Sequence, residues 1–227
     1  MKKIFLVDAD DTILDFHASS ERALKAAFAH FNVLWEDRFL SEFRVINGGL
    51  WAALERKELT RTELMERRFP IYLAHMHMNL DGKAFNEFFV THLANNPIYI
   101  DGAERFLENL NALGRVFIVT NGTEYIQKSR FSISRLYEKA ENVFISDTIG
   151  VDKPAKGYTD YVIAHIKGFD KEEAVWIGDS LTADIAAANN AGITSIWYNP
   201  SGKPIMAAAP DFVAKDFAGI LDILQKN

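Results

Sequence analysis

Ile4-Phe5-Leu6-Val7-Asp8-Ala9-Asp10-Asp11-Thr12 is the stretch on which the fold turns. Four apolar residues in succession, with no polar alternation, suit a strand buried on both faces of a parallel sheet. Asp8, Asp10 and Asp11 follow at once. Carboxylates so close repel one another and destabilise the turn unless a cation sits among them. Side chains at i and i+2 of an extended segment point the same way, so Asp8 and Asp10 can converge on one site. A hard cation with oxygen ligands, Mg²⁺, fits there. The alternative is a solvated acidic turn capping a helix near Thr12.

Comparable apolar runs recur at 116–119, 143–145, 174–177 and 194–197, with helical stretches at 103–113, 123–131, 155–165 and 181–191. Strand alternating with helix predicts an α/β fold, a Rossmann-like parallel sheet with helices on both faces. The interval 16–96 breaks the alternation. It carries the stripes Leu24/Phe28/Phe31, Phe39/Phe43/Ile46/Leu50, Met65/Phe69/Tyr72/Met76 and Phe85/Phe89/Leu93 at helical spacing. A simple crossover needs one helix, so this is an inserted all-helical domain. The expected division is 1–15 and 97–227 for the α/β core and 16–96 for the insertion, with Asn95-Asn96-Pro97 as the return linker. Pro70 inside one stripe is expected to break or kink that helix.

Composition narrows the function. The 227 residues are 48% hydrophobic and 12% aromatic, too apolar for a disordered chain. A net charge of −6 offers no basic footprint for nucleic acid or an anionic membrane. With no cysteine, thiolate metal sites, disulfides and cysteine nucleophiles are excluded together. The apolar start is too short for a signal peptide and no run is long enough to span a bilayer, so a cytoplasmic protein acting on a small molecule is expected.

Ligands of open α/β sheets bind beyond the carboxyl ends of the strands, and three more runs end informatively. Thr120-Asn121-Gly122 opens a helix, where a hydroxyl and free backbone N–H groups make either an anion seat or an ordinary cap. Gly150-Val151-Asp152-Lys153-Pro154 places a lysine at the mouth of the next helix if Pro154 is its first residue, the alternative being a surface lysine in a loop. In Gly178-Asp179-Ser180-Leu181-Thr182-Ala183-Asp184, Asp179 follows a strand as Asp8 does. Asp184 stands early in a helix, where the macrodipole favours a carboxylate.

Carboxylate pair, hydroxyl seat, lysine and second carboxylate, each ending a successive element, resemble the haloacid dehalogenase-like hydrolase superfamily over essentially the whole chain. The helical insertion looks like its C1-type cap. The resemblance implies a phosphoric monoester hydrolase in which Asp8 attacks phosphorus to give an aspartyl-phosphate. Asp10 would serve as acid and then base. Mg²⁺ would be held by Asp8, the Asp10 backbone carbonyl and Asp179. Thr120, the Asn121 N–H and Lys153 would bind phosphate, with Asp184 supporting the lysine or the metal's water shell. The dehalogenases of the superfamily lack a carboxylate at the position of Asp10, which favours phosphoryl chemistry here; the phosphomutases share it.

Val45-Ile46-Asn47-Gly48-Gly49-Leu50-Trp51, Leu59-Thr60-Arg61-Thr62-Glu63-Leu64 and Arg67-Arg68-Phe69 further resemble the bacterial pyrimidine 5′-nucleotidases that act on noncanonical and ordinary nucleotides. Substrates such as dUMP, dTMP and UMP are implied. Lys156-Gly157-Tyr158 departs from the usual ending of the lysine motif. Asn47 and Trp51 lie one helical turn apart and could meet a base, as could Arg67 or Arg68; each could equally pack or be solvated within the helical domain. His75 and His77 face nearly opposite ways on a helix and make no metal pair. A sugar-phosphate or phosphoglycolate phosphatase or phosphomutase remains an alternative. A catalytically retired binding module would show loss of Asp8, Asp10, Lys153 or Asp179, and all four are present.

Overall fold

The computed structural model describes residues 3–226. The apolar runs form the strands β1 (Lys3–Val7), β2 (Gly114–Thr120), β3 (Asn142–Ile145), β4 (Ala174–Gly178), β5 (Thr194–Tyr198) and β6 (Phe212–Ala214). Every neighbouring pair is parallel, in the order β3-β2-β1-β4-β5-β6. Four helices follow β1: α1 (Phe16–His30), α2 (Asp37–Glu55), α3 (Arg61–His75) and α4 (Gly82–Asn95). Between and after the later strands come α5 (Ala103–Leu113), α6 (Glu124–Ile133), α7 (Leu136–Lys139), α8 (Ser146–Ile149), α9 (Lys156–Ala164), α10 (Ala186–Ala191) and α11 (Phe217–Lys226).

Alternation within each strand explains why the runs are apolar throughout. Phe5, Val7, Val116, Ile118, Val175 and Ile177 pack on one face of the sheet with Phe106 and Leu110 of α5 and Ile220 and Leu224 of α11. Ile4, Leu6, Phe117, Val119 and Trp176 pack on the other with Tyr158 and Val162 of α9 and Ala187 and Ala188 of α10. Helices on both faces leave no polar side to the central strands. β6 and α11 were not anticipated. The strand has three residues, too few to establish a period, whereas α11 carries a legible stripe, Phe217/Ile220/Leu221/Leu224, that packs on the core.

The chain divides into two compact units, 1–16 with 97–227 and 17–96. The second is helical throughout, with a core of stacked and edge-on rings. Phe69 lies 4.8 Å from Phe85 and 4.9 Å from Phe89 between ring centroids, and Phe28 lies 4.4 Å from Phe39. α3 starts at a capping box in which Thr60 and Glu63 satisfy each other's backbone N–H groups. Of the break or kink expected at Pro70, the break does not occur: α3 runs through that residue from Arg61 to His75. Packing of Phe69, Tyr72 and Leu73 against the ring cluster holds the helix although one backbone donor is missing. The buried stripe also begins with Leu64 and Arg68 rather than Met65. Replacing Phe69 with alanine is expected to cost about 3–5 kcal/mol by leaving a cavity at the ring cluster. Urea unfolding followed by helical circular dichroism checks this, and an unshifted transition would contradict it.

Candidate active site

The chain order of the sheet reverses at β1, which lies between β2 and β4. Such a switch point opens a crevice at the carboxyl ends of the strands. Asp8 follows β1, Thr120 ends β2 and Asp179 follows β4, so three separate elements deliver polar groups to the same end of the sheet. Lys153 joins them from the segment between α8 and α9. Its Nζ donates to Asp8 Oδ1 at 2.6 Å, to Asp184 Oδ1 at 2.6 Å and to the Val119 carbonyl at 2.9 Å. An ammonium has three protons, and here each has an acceptor. Asp8, Lys153 and Asp184 are all buried.

The position of Lys153 has a different cause from the one expected. α9 begins at Lys156, so Pro154 precedes the helix instead of opening it. Asn121 fixes the lysine backbone. The Lys153 N–H donates to Asn121 Oδ1 at 2.8 Å, and Asn121 Nδ2 donates to the Lys153 carbonyl at 2.9 Å. The stretch 181–191 likewise differs from one continuous helix. A wide π turn at Leu181–Ile185 precedes α10. Within it Asp184 Oδ2 accepts from the Ser180 N–H at 3.2 Å while its other oxygen meets Lys153. Gly178 is required for this arrangement, because a Cβ there would collide with the Asp184 carboxyl.

Asp8, Asp179 and Asp184 bring carboxylate oxygens within 4.8 Å of one another. Burial, then Asp184, push the Asp8 carboxyl up to about 8 despite Lys153. Burial, then Asp8 and Asp184, push Asp179 well above the usual carboxylate range. Burial alone would lower Lys153, but Asp184 and Asp8 outweigh it and hold the ammonium above its ordinary value. Three carboxylates against one ammonium leave negative charge that a divalent, oxygen-seeking cation would neutralise. The donor set contains neither sulfur nor imidazole, so it fits Mg²⁺ better than a transition metal.

The Asp10 side chain is outside that carboxylate cluster. Gln127 Nε2 donates to Asp10 Oδ2 at 2.7 Å, and Arg130 Nη1 donates to Asp10 Oδ1. Gln127 Nε2 also donates to Thr120 Oγ1 at 2.9 Å, and Arg130 Nη1 donates to Gln127 Oε1 at 3.0 Å. Gln127 packs so closely over Gly122 that a Cβ there would collide with it. Neither Gln127 nor Arg130 was picked out from the sequence. The available signal was a polar pair at i, i+3 on α6, the helix opened by the Thr120 turn, beside the buried Ile126 and Phe131. Asp11 Oδ1 accepts from the Phe16 N–H at 3.0 Å, so it does cap a helix, but one that begins at Phe16 and not near Thr12.

In the helical unit Asn47 is buried, and its Oδ1 accepts from Arg68 Nη1 at 3.4 Å. Arg68 also donates to Asn86 Oδ1 at 2.8 Å and lies 5.0 Å from the Phe69 and Phe89 ring centroids. Burial pushes its guanidinium down to about 9. Trp51 is half-buried, with Arg61 over its ring at 5.4 Å. Arg67 is solvated and pairs with Glu63 at 2.9 Å. His75 pairs with Glu42 at 2.9 Å.

Residues 2–192 match the family model of the haloacid dehalogenase-like hydrolases. The chain belongs to that family. This haloacid dehalogenase-like hydrolase is 36% identical over 202 residues to the HAD-hydrolase YfnB of Bacillus subtilis, covering 89% of this chain and 86% of that protein. The crystal structure of YfnB, described as bound to magnesium and revealing interdomain movement, superposes with a TM-score of 0.92 at 34% identity, covering 98% of each chain. The hydrolase is also 34% identical to the pyrimidine 5′-nucleotidase PynA of Streptococcus pneumoniae, over 99% of this chain and 96% of that one. The pyrimidine 5′-nucleotidase YjjG of Escherichia coli is 26% identical over 85% of this chain and 84% of its own. No described helix is long and apolar enough to cross a membrane.

Proposed function

We propose that this chain is a Mg²⁺-dependent phosphatase of nucleoside 5′-monophosphates, pyrimidine ones such as dUMP, dTMP and UMP, acting through an aspartyl-phosphate on Asp8. The class, phosphoric monoester hydrolase, follows from the family and the nucleotidase relatives. The observation that carries the mechanism is the Asp8–Lys153–Asp184 ion cluster at the switch point, with a second carboxylate, Asp10, two residues past Asp8. Similarity to PynA over nearly the whole of both chains supports the choice of substrate.

Asp8 would attack phosphorus as the bond to the ester oxygen breaks, and Asp10 would give its proton to that leaving oxygen. Asp10 would then take a proton from water as the water oxygen bonds phosphorus and the acyl–phosphate bond breaks. Inorganic phosphate leaves and the Asp8 carboxylate is restored. A carboxylate and a phosphate dianion repel, and Lys153 supplies part of the charge that lets them meet. Thr120 and the Asn121 N–H would orient phosphate oxygens. Mg²⁺, held by Asp8, the Asp10 carbonyl and Asp179, would neutralise the remaining charge as a Lewis acid.

Selectivity is assigned to the helical unit, which we read as the C1-type cap domain of the family. Asn47 and Trp51 are its candidate contacts to a base. Arg67, paired to Glu63 at the surface, is the weaker one. Phosphate release from a panel of monophosphates tests the proposal. Pyrimidine nucleotides should lead, EDTA should abolish turnover and added Mg²⁺ should restore it. Preference for phosphoglycolate or hexose phosphates, or transfer of phosphate without release, would overturn the substrate assignment.

A further inference from the structure

We infer that Gln127 and Arg130 are positioning residues for Asp10, a two-residue cradle on α6 that aims the acid–base carboxylate and ties it to the phosphate seat at Thr120. The inference rests on the reading of Asp10 as acid and base. Both Asp10 oxygens are engaged, one by each cradle residue, while the Asp10 side chain itself remains 29% exposed. The carboxylate is therefore held at both oxygens on a side chain that is still partly exposed, as a group that must be positioned yet exchange a proton with a ligand requires.

The stability cost of the cradle supports a functional role. Arg130 is 1% exposed, and its Nε and Nη2 have no hydrogen-bond partner among the described residues. A buried guanidinium with unmatched donors destabilises a fold. Its ion pair with Asp10 and its bond to Gln127 are what it receives in return. Gln127, also 1% exposed, spends both protons of its amide nitrogen on functional neighbours, Asp10 and Thr120. Gly122 leaves the space that Gln127 fills. One amide thus fixes the distance between the hydroxyl assigned to phosphate and the carboxylate assigned to the leaving oxygen. Close placement of this kind governs the rate of proton transfer more than the strength of substrate binding.

A comparison of leaving groups separates positioning from general structural support. A nucleoside departs as a poor alkoxide and needs a proton, whereas p-nitrophenolate departs without one. With UMP as substrate, Gln127→Ala and Arg130→Met should lower kcat by about 10–100-fold with KM little changed, the range seen when supporting partners of site residues are removed. The pre-steady-state burst of p-nitrophenol from p-nitrophenyl phosphate should stay near the parent rate. Arg130→Lys should recover part of the loss. Asp10→Asn should show the same leaving-group pattern more strongly, and Arg130→Met added to it should cost little more. Equal losses on both substrates by the cradle variants, with Asp10→Asn still selective, would overturn the cradle alone. Asp10→Asn losing both substrates equally would overturn the acid–base reading and the cradle with it. Gln127→Ala exchanges one neutral side chain for another, so it carries the test should Arg130→Met not fold.

Discussion

Asp8→Asn should lower phosphate release by about 10⁴–10⁶-fold, the scale on which loss of a nucleophile is felt, while leaving the protein at least as resistant to urea. The two halves of this expectation have one cause. Burial and Asp184 push the Asp8 carboxyl up to about 8, so its ionised form is disfavoured in the metal-free fold at neutral pH. An asparagine of the same shape lacks that charge and leaves Lys153 paired with Asp184 at 2.6 Å. Activity that needs a destabilising group is recognised by a variant that gains stability as it loses function. Unfolding midpoints in EDTA and a molybdate assay for phosphate check both halves. Residual turnover near the parent level would remove Asp8 from the mechanism, and a lowered midpoint would show that its carboxylate supports the fold.

Lys153→Met should fail in the opposite sense. It leaves Asp8, Asp179 and Asp184 close together, two of them buried, without their shared cation. Breaking a buried ion pair from one side costs about 3–5 kcal/mol, because an unmatched charge stays behind. The midpoint in EDTA should fall accordingly, and Mg²⁺ should recover part of it by returning positive charge to the same carboxylates. Turnover should fall by about 10²–10³-fold even with Mg²⁺, as when one charge-stabilising donor is removed. Lys153→Arg separates charge from shape. The ammonium's three protons meet Asp8, Asp184 and the Val119 carbonyl, whereas a planar guanidinium cannot address three acceptors around a point. It should restore stability further than it restores rate. An unchanged midpoint for Lys153→Met would contradict the ion cluster itself.

These residues differed in how far they could be read from sequence. Asp8 and Asp179 were legible because each directly follows a strand buried on both faces, and such strands are continuous apolar runs. Lys153 was found for an incomplete reason. Pro154 suggested a helix start, but the clamp that places the lysine comes from Asn121, 32 residues earlier. Asp184 was read against a helix dipole, and its contact with Lys153 depends on a wide turn that no local pattern announces. Gln127 and Arg130 were invisible for a related reason. Polar residues on an amphipathic helix are ordinarily solvated, and their partner Asp10 is 117 and 120 residues away. Arg68 was open to the same misreading and is buried. Chain separation hid contacts, whereas periodicity revealed elements.

The position of β1 bears on how the chain can be assembled. It is one of the two central strands, yet its partners β2 and β4 begin at Gly114 and Ala174. During synthesis, which runs at about 5–20 residues per second, the whole 17–96 unit emerges before β1 can pair. That unit makes its contacts among neighbouring helices and can close early, as structures of low contact order do. The apolar Ile4–Val7 segment must meanwhile wait as an unpaired edge. The strand that leads into Asp8 is therefore sheltered only after the helical unit has been made.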